Sequence, residues 1–214
     1  MNALDDKPIE RLLAAGLVVF AERGFREATV RDICARAGTN ISAIRYYFTS
    51  KEMLYREVLA YSFREADRKY PQAAFSDESL PASDRLKIFI RHLLMRLLDE
   101  SDLGFHARLM AREIAEPTEA LHFIIDTVMK PRFLILRELI PQLVGDTLDH
   151  TDIDRVIHCI IGQCLVFRHS KPMIERLCPE VISSPEAIDR TADMIIRFSL
   201  GGLRALDPSP GSLL

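Results

Sequence analysis

The sequence predicts an all-α protein with an N-terminal three-helix domain and a larger C-terminal helical domain. Apolar residues recur at three- and four-residue spacing along most of the chain, which is the pattern of helices with one buried face. Only 9 of the 214 residues are glycine and 48% are apolar, so the chain can build a sizeable helical core. No segment shows the two-residue alternation that is typical of a half-buried strand.

The first predicted helix begins at Pro8, because proline is favoured in the first turn of a helix. Its apolar residues form a wide stripe that is expected to support the next two helices: Ile9, Leu12, Leu13, Gly16, Leu17 and Phe20. Gly24 is expected to end this helix, and Phe25 returns the chain to the core.

Residues 29–48 predict two short helices joined by a tight turn. Thr29 is a favoured helix cap, and Asp32 is a shorter version of the acid in a capping box. Gly38 is expected to end the first helix because glycine tolerates positive φ, and Asn40 caps the second. A helix-turn-helix of this size can present its second helix to the major groove of DNA.

The second of these helices divides into two faces at 3.6 residues per turn. Ile44 and Phe48 share the side that should pack on the first helix, and Tyr47 lies near the boundary. The outward side carries Ser42, Ala43, Arg45 and Tyr46. A guanidinium can bind guanine O6 and N7 together, and tyrosine hydroxyls can reach phosphates. The helical pattern alone is equally compatible with a solvated face on which two tyrosines cover a core.

A resemblance to a known family decides between these interpretations. The segments that carry it are Thr29-Val30-Arg31-Asp32-Ile33, Ala37-Gly38, Tyr46-Tyr47-Phe48 and Ser50-Lys51-Glu52-Met53-Leu54. Together they resemble the N-terminal DNA-binding signature of the TetR family, over about residues 9–59. The resemblance implies a helix-turn-helix regulator of transcription that binds a double-stranded DNA operator.

The resemblance also implies roles for individual residues. Positions that contact phosphates in the family correspond to Thr29, Arg31, Tyr47 and Lys51. Positions that face the bases or the groove correspond to Ile41, Ser42, Ala43 and Arg45, and we add Asn40 and Tyr46 to the predicted DNA-binding set. The family usually has glycine at the position of Ser42 and tyrosine at that of Arg45, so this chain's operator preference is expected to depend on these two residues.

The C-terminal part predicts a series of longer helices. Ser50 caps a fourth helix that runs to about Tyr70, and residues 71–83 form a polar loop. Three helices follow at about 83–98, 102–115 and 118–143. A further helix is capped at Thr151 or Asp152 and runs to about residue 168, and the last two span 172–177 and 186–206. Pro131 should kink or split the third of these. The predicted domains are therefore 1–50 for DNA binding and 51–206 for ligand binding and dimerisation, followed by a disordered tail at 207–214.

The last two long helices have more apolar surface than one bundle needs. A second copy of the chain would cover it in a four-helix interface with two-fold symmetry, and ordinary burial in the chain's own core is the alternative. TetR-like regulators pair through their last two long helices, which favours the dimer. The predicted interface contains Ile157, Ile160, Ile161, Cys164, Leu165, Ile195, Phe198 and Gly202. A symmetric dimer implies a palindromic operator, with reading helices about 34–36 Å or a small multiple apart.

A second resemblance covers the C-terminal part. Residues 108–117 (RLMAREIAEP), 130–133 (KPRF), 161–165 (IGQCL) and 171–172 (KP) resemble the CecR-like subgroup of TetR regulators. This implies a repressor of transport or stress genes with a small-molecule inducer. Candidate residues for its pocket are Phe63, His106, Met110, Arg112, His122, Phe123, Arg132 and Phe133. The alternative, which we favour, is that Arg108 or Arg112 pairs with neighbouring acids along one helix and that the Met and Phe residues belong to the core.

Several other functions lack support in the sequence. The net charge is −3, and residues 1–52 carry eight Lys and Arg against seven Asp and Glu, so charge alone would not predict DNA binding. The six histidines show no i, i+4 pair or HExxH pattern, and no catalytic or phosphate-binding motif is present, so we expect no metal, no cofactor and no enzyme activity. The N-terminus is too polar for a signal peptide and no apolar run could span a bilayer, so a cytoplasmic protein without membrane contact is expected.

The four cysteines are expected to be buried free thiols in a reducing compartment. A redox-sensing role for Cys159 or Cys164 is the alternative. The function predicted from all these observations is a homodimeric, ligand-responsive repressor of transcription, whose long fourth helix swings when ligand binds. The alternative is a TetR-like DNA-binding protein that acts through a protein partner or organises DNA without a small-molecule ligand.

Overall fold

The computed structural model describes residues 6–71, 73–101, 103–145 and 148–206. Within these ranges the chain is helical and contains no strand, as predicted. The α-helices are α1 (Asp6–Glu27), α2 (Val30–Ala37), α3 (Ile41–Tyr47), α4 (Lys51–Lys69), α5 (Ala73–Ser76), α6 (Ala82–Leu98), α7 (Leu103–Ala115), α8 (Glu119–Ile124), α9 (Lys130–Leu139), α10 (Pro141–Val144), α11 (His150–His169), α12 (Lys171–Leu177) and α13 (Pro185–Leu206). A short 3₁₀ helix (Pro179–Val181) precedes α13. The predicted disordered tail, 207–214, lies outside the described residues.

The chain forms two compact units that differ from the predicted domains. Unit 1 comprises Met1–Lys69 and Glu100–Lys130, and unit 2 comprises Tyr70–Asp99 and Pro131–Leu214. Packing therefore groups α4, α7 and α8 with the first three helices. The functional division at residue 50 stays a prediction.

Unit 1 is built around α1, which packs against α2, α4 and α7. Its core contains the aromatic rings of Phe20 and Tyr55, whose centroids lie 4.8 Å apart in an edge-to-face arrangement. Helices α1 and α4 approach closely at Gly16, where an added Cβ would lie 2.7 Å from Val58 Cγ2. Each fully buried large apolar side chain in this core contributes about 1.5–3 kcal/mol, so the apolar stripe predicted for α1 supplies much of its stability.

Unit 2 is organised around α6, which packs against α11 and α13. Leu86, Ile90 and Leu94 line its buried face and are fully buried. Arg91 of α6 forms ion pairs with Asp189 and Asp193 of α13. Helices α9 and α11 are joined by a bidentate pair, in which Arg137 Nε and Nη2 donate to the Asp154 carboxylate at 2.7 and 2.8 Å.

The predicted distortion at Pro131 is present, and it takes the form of a π-helical turn over Ile125–Met129. This turn joins α8 to α9 directly before the proline. Because proline has no N–H, the carbonyl of Thr127 cannot receive the usual i+4 hydrogen bond. One turn earlier, the Thr127 hydroxyl donates to the Phe123 carbonyl at 2.6 Å. A wider π turn is one way in which a helix absorbs such a lost bond.

Two predicted boundaries were wrong. The cap of α11 is Asp149, whose side chain accepts from the Asp152 N–H at 2.8 Å, so the helix begins before the predicted cap positions. The polar loop 71–83 contains the short helix α5, which exists because Phe75 is buried against Phe89 with ring centroids 5.3 Å apart. Prolines on both sides of this segment had favoured an irregular loop.

Burial of the cysteines was predicted correctly for two of the four. Cys34 and Cys164 are buried, whereas Cys159 and Cys178 are exposed, and all four are free. Cys159 faces outward because its neighbour Ile160 points into the core of unit 2. Burial raises the pKa of the Cys164 thiol to about 12, which keeps it protonated and unreactive at neutral pH.

Candidate functional site

The two helices of residues 29–48 are held by the predicted caps. The Thr29 hydroxyl accepts from the Asp32 N–H at 3.1 Å, and the Asp32 carboxylate accepts from the Thr29 N–H at 3.3 Å, which is a complete capping box. Gly38 ends α2 with φ at 63°. The Asn40 side chain accepts from the Ser42 N–H at 3.2 Å and begins α3. Local hydrogen bonds therefore fix both ends of the turn between α2 and α3.

The two faces of α3 are as predicted except at Ala43, which was expected to point outward and packs partly against the core of unit 1. Ile44 and Phe48 are buried against the core of unit 1. The opposite face exposes Ser42, Arg45 and Tyr46, the last with 80% of its surface accessible. Ile41 is also exposed, at the start of the helix, and Asn40 precedes it; Ala43 is half-buried. The result is a short helix with a polar, cationic and aromatic outer face.

Tyr47 occupies the boundary between these faces. Its ring is half-buried and packs edge-to-face on Tyr46 with centroids 4.9 Å apart. It also lies 6.3 Å from the Phe48 ring. The two tyrosines therefore support each other, with Tyr47 packed against the core of unit 1 and Tyr46 on the exposed face. Contact of this face with DNA stays a prediction.

The predicted phosphate-contact residues differ in whether their hydrogen-bond donors already bind other groups of the protein. The Thr29 hydroxyl donates to Asp32 Oδ2 at 2.7 Å, so it can donate to a phosphate only after leaving that carboxylate. Arg31 is exposed at the first turn of α2. Lys51 Nζ donates to the Arg26 carbonyl at 3.2 Å and lies 4.7 Å from the Phe25 ring centroid. An ammonium has three N–H donors, so Lys51 retains donors for a phosphate while it binds α1.

The eight candidate pocket residues are divided between the two compact units. Six belong to unit 1, and Arg132 and Phe133 belong to unit 2. Phe63, His106 and Met110 are buried in the core of unit 1, where His106 Nδ1 lies 2.9 Å from the Ser62 hydroxyl. His122 is exposed, and Phe123 lies under the Arg56 guanidinium at 4.2 Å. These three candidates are therefore core side chains of unit 1, each with less than a tenth of its surface exposed.

A cleft of about 430 Å³ opens on unit 1 and includes one candidate, Arg112. Its walls are Gly24, Phe25, Arg26, Tyr55, Ala111, Arg112, Ala115, Glu116, Pro117 and Thr118. The expected pairing of Arg112 or Arg108 with acids along the same helix was wrong. Arg112 donates to the carbonyls of Ala21 and Glu22, and Arg108 donates to the Gly104 carbonyl. Glu113, the acid next to Arg112, accepts instead from Tyr55 and Thr118.

Four of the eight predicted interface residues belong to the chain's own core. Ile157, Ile160, Cys164 and Ile195 are buried in unit 2, because they form the inward stripe of α11 and α13. Ile161 and Leu165 are half-buried, and Gly202 and Phe198 are exposed. Other exposed residues on these helices are Gly162, Val166, Met194 and Gly201. The outward apolar stripe thus lies about one residue away from the predicted one.

Other kinds of site receive no support from the described part of the chain. Within it, no group of three or more His, Cys, Asp or Glu side chains is placed to hold a metal ion. Every helix over residues 6–71, 73–101, 103–145 and 148–206 is too short or too polar to span a bilayer.

Comparison with known protein families gives two matches. The family described as "Bacterial regulatory proteins, tetR family" matches residues 12–58, which include α2 and α3. The family described as "HTH-type transcriptional dual regulator CecR, C-terminal domain" matches residues 82–203, more than half of the chain.

Individual proteins agree with these matches. The chain is 35% identical over 184 residues to the HTH-type transcriptional dual regulator CecR of Shigella flexneri, covering 81% of each sequence. Its fold is similar to that of the regulator FadR from Bacillus subtilis in complex with stearoyl-CoA (TM-score 0.68, 17% identity, 90% and 98% of the two chains). It is also similar to AibR in complex with isovaleryl coenzyme A and operator DNA (TM-score 0.67, 16% identity, 89% and 97%).

The capping box predicts a defined pH dependence at the start of α2. The Thr29 hydroxyl, and after it Arg23, whose Nη1 lies 2.8 Å from Asp32 Oδ2, lower the pKa of Asp32 below its ordinary 3.8. A carboxyl whose folded-state pKa is depressed stabilises the fold above its unfolded pKa, and this contribution is lost as pH falls through the folded value. NMR titration of the Asp32 side chain should therefore give a pKa below 3.8, with amide shifts at Thr29 following the same curve.

The Thr29→Ala variant is the matched control. It removes the hydroxyl, which is the largest cause of the lowered pKa of Asp32, and leaves Arg23 in place. The pKa of Asp32 should rise in that variant. A wild-type Asp32 that titrates at or above its ordinary value would contradict the role given to the capping box.

Proposed function

Because this chain belongs to the TetR family of bacterial regulatory proteins and carries a C-terminal domain of the CecR type, we propose that it is a homodimeric repressor that binds a palindromic operator and is released by a small-molecule effector. DNA binding and control of transcription come with the family. The observation that carries the proposal is the outer face of α3, where Ser42, Arg45 and Tyr46 are exposed on a helix held by the Asn40 cap. We also propose that the protein acts in the cytoplasm, where the bacterial chromosome lies.

In the proposed complex α3 enters the major groove and reads base edges. Arg45 is the residue best suited to this, because a guanidinium offers two parallel N–H donors to O6 and N7 of guanine. Ser42 can donate or accept, so it fits several bases. Ile41 and Ala43 supply apolar contact at the start of the helix, of the kind that suits a thymine methyl group.

Phosphate contacts would position the helix without reading sequence. Arg31 and Lys51 supply charge on either side of α3, and Tyr46 and Tyr47 supply hydroxyl groups. Lys51 is attached to the Arg26 carbonyl, so its contact would connect the phosphate to the end of α1. Thr29 is the weakest member of the set, because its hydroxyl proton is already directed to Asp32.

The proposed dimer uses the outward stripe of α11 and α13. Phe198 exposes 73% of its surface and Met194 61%, which is unusual for side chains of this size on a monomeric protein. An added Cβ would meet nothing within 4 Å at Gly162 or Gly201, so a neighbouring backbone could approach closely there. A two-fold axis through this stripe would pair each helix with its copy and set the distance between the two reading helices at one or a few DNA turns.

The effector is the least constrained part of the proposal. The fold neighbours from solved structures include proteins in complex with stearoyl-CoA and isovaleryl coenzyme A, which makes acyl-CoA compounds the first effectors to test. The packed core at Phe63, His106 and Met110 favours the alternative, a regulator controlled by a protein partner or acting in DNA organisation. An effector that binds among these side chains must therefore first open the core, at a cost taken from its binding energy.

Two substitutions separate sequence reading from phosphate binding. With operator fragments selected from the source genome, Arg45→Ala should lower discrimination between operator and random DNA by about 1–3 kcal/mol. Lys51→Ala should weaken binding to both DNAs by a similar factor and reduce the salt slope by about 1. Arg64→Ala, an exposed cation of α4 outside the predicted set, should change neither quantity. Fluorescence anisotropy over a range of salt concentrations measures both, and equal loss of discrimination in the Arg45 and Lys51 variants would contradict the proposed roles.

The dimer is tested by introducing charge on the outward stripe. Phe198→Glu should raise the dimer dissociation constant by at least about a hundredfold, because symmetry buries two such rings at about 1.5–3 kcal/mol each. Leu134→Glu on α9, where the leucine is also exposed, controls for a general effect of added charge. Sedimentation velocity at micromolar concentration distinguishes the species. A wild-type monomer under these conditions would remove the dimer from the proposal.

The effector is tested with the wild-type chain on its own operator. Stearoyl-CoA and isovaleryl-CoA are titrated separately, with free coenzyme A as the matched control. A tenfold fall in operator affinity requires only about 1.4 kcal/mol of differential binding, and we expect at least this from an acyl-CoA effector. Unchanged affinity with both compounds would remove acyl-CoA compounds of these two lengths as effectors, and an equal fall with free coenzyme A would assign the effect to the coenzyme A moiety and not to the acyl chain.

A further inference from the structure

The C-terminal end of α7 contains two consecutive residues whose side chains bind different helices of unit 1. Arg112 donates from Nε to the Ala21 carbonyl at 2.9 Å and from Nη2 to the Glu22 carbonyl at 2.7 Å. Both acceptors lie in α1, about 90 positions earlier in the chain. The planar guanidinium spans the two oxygens as a fork, a geometry that a lysine ammonium cannot reproduce.

The two carbonyls are available because α1 is broken at Gly24. This residue has φ 77° and ψ 171°, a conformation that is essentially restricted to glycine. Ala21 and Glu22 therefore lie in the last turn before a break, where backbone carbonyls lack their regular helical partners. A cation at this point also faces the negative end of the helix dipole. The break in α1 thus creates the site that Arg112 fills.

Glu113 makes the second set of contacts, to α4 and to the start of α8. It is 1% exposed, and its Oε2 accepts from the Tyr55 hydroxyl of α4 at 2.6 Å. Its Oε1 accepts from the N–H and the hydroxyl of Thr118 at 2.9 and 2.8 Å, at the residue that caps α8. Burial, together with the Glu113 carboxylate, raises the pKa of Tyr55, so the phenol remains a donor at every physiological pH. A buried carboxylate with three donors is held firmly in place.

These contacts lie where the packed interior of unit 1 meets a cleft. Helices α1 and α7 pack against each other, and Tyr55 and Glu113 are buried. The cleft of about 430 Å³ is lined by Gly24, Phe25, Tyr55 and Arg112, among others. At this edge the polar contacts of Arg112 and Glu113 add directional restraints to the packing of the helices.

We propose that Arg112 and Glu113 form a latch that positions the helix-turn-helix, Arg112 by holding the broken end of α1 and Glu113 by holding α4 through Tyr55. The segment from Gly24 leads within five residues to Thr29 and α2, and α4 begins at Lys51 directly after α3. The latch therefore controls the two helices that flank the reading pair. A displacement of the end of α7 is passed to α2 and α3 from both sides. This inference rests on DNA binding by α3 and assigns a role to residues outside the reading pair.

The test compares charge-neutralising substitutions at two arginines of the same helix. Arg112→Gln removes both bonds to α1. Arg108→Gln removes an arginine one turn earlier whose contacts, to the Gly104 carbonyl and the Phe105 ring, stay within α7. Tyr55→Phe removes the donor to Glu113 and keeps the ring in the core. All three are made in the full chain and examined by hydrogen–deuterium exchange resolved by segment, and by binding to operator and random DNA.

The latch predicts a localised effect. In Arg112→Gln, exchange over the end of α1 and over α2 and α3 should speed up about tenfold, with unit 2 unchanged. Operator affinity should fall roughly fivefold to tenfold, because binding to DNA must then order more mobile α2 and α3 helices. Tyr55→Phe should affect the start of α4 and α8, and Arg108→Gln should match wild type in both measurements. Arg112→Lys should not restore wild-type behaviour, because one ammonium cannot span both carbonyls in the same way.

Other outcomes overturn the proposal. Faster exchange in every segment of Arg112→Gln would mean that the residue only stabilises the fold. Equal effects of the Arg108 and Arg112 substitutions, or full recovery with Arg112→Lys, would mean that charge and not the contact to α1 matters. The exchange measurement needs no DNA, so it decides the latch even if the operator, the dimer or the effector of the proposed function proves to be wrong.

Discussion

The arrangement of the reading helices depends on the break in α1 at Gly24. A continuous α1 would carry the chain straight on, and α2 could not turn back to pack against it. The break leaves carbonyls at the end of a helix, and two cations from other helices bind them. Arg112 of α7 binds the Ala21 and Glu22 carbonyls, and Lys51 of α4 binds the Arg26 carbonyl just beyond the break. The same discontinuity that permits the helix-turn-helix therefore also supplies the points at which it is held.

In the proposed complex with DNA, Lys51 would have two partners of different strength. In the free protein its ammonium donates to a neutral carbonyl and lies against the Phe25 ring. A DNA phosphate carries a full negative charge and forms the stronger hydrogen bond. Binding to DNA would then draw on a lysine that is already ordered, which lowers the entropy lost on association. A phosphate contact at Lys51 and the position of the α1 end are consequently linked through one side chain.

The features predicted correctly from the sequence depend on residues close together in the chain. The Thr29–Asp32 capping box, the Gly38 end of α2 and the Asn40 cap each involve partners within a few positions. The faces of α3 follow from helical periodicity, which is equally local. The contacts of Arg112 with α1 and of Glu113 with Tyr55 could not be predicted in this way, because these partners are 58 to 91 positions away. Neighbouring acids gave a simple local explanation for Arg112, and that explanation was wrong.

The interface residues on α11 show a different limit of periodicity. This helix is apolar nearly all round, so its sequence does not show which stripe faces the chain's own core. Ile157, Ile160 and Cys164 proved to be the inward stripe, and exposed Cys159 and Val166 lie on other faces. For α13 the same question is answered by charge, since Asp189 and Asp193 pair with Arg91 of α6 and orient the helix. On α13, ion pairs with another helix therefore help to fix the inward face.

The CecR-type domain and the compact units divide the chain at different residues. The CecR-type domain begins at residue 82 in the sequence match, yet residues 100–130 pack with α1 and α4 in unit 1. Helices α7 and α8 thus match the CecR-type domain in sequence, and they pack with α1 and α4 in unit 1. A signal that moves them does not need the long helix α4 as its only lever, because Arg112 reaches α1 directly. The end of α7 is therefore a direct physical connection between the CecR-type segment and the end of α1 that leads into the helix-turn-helix.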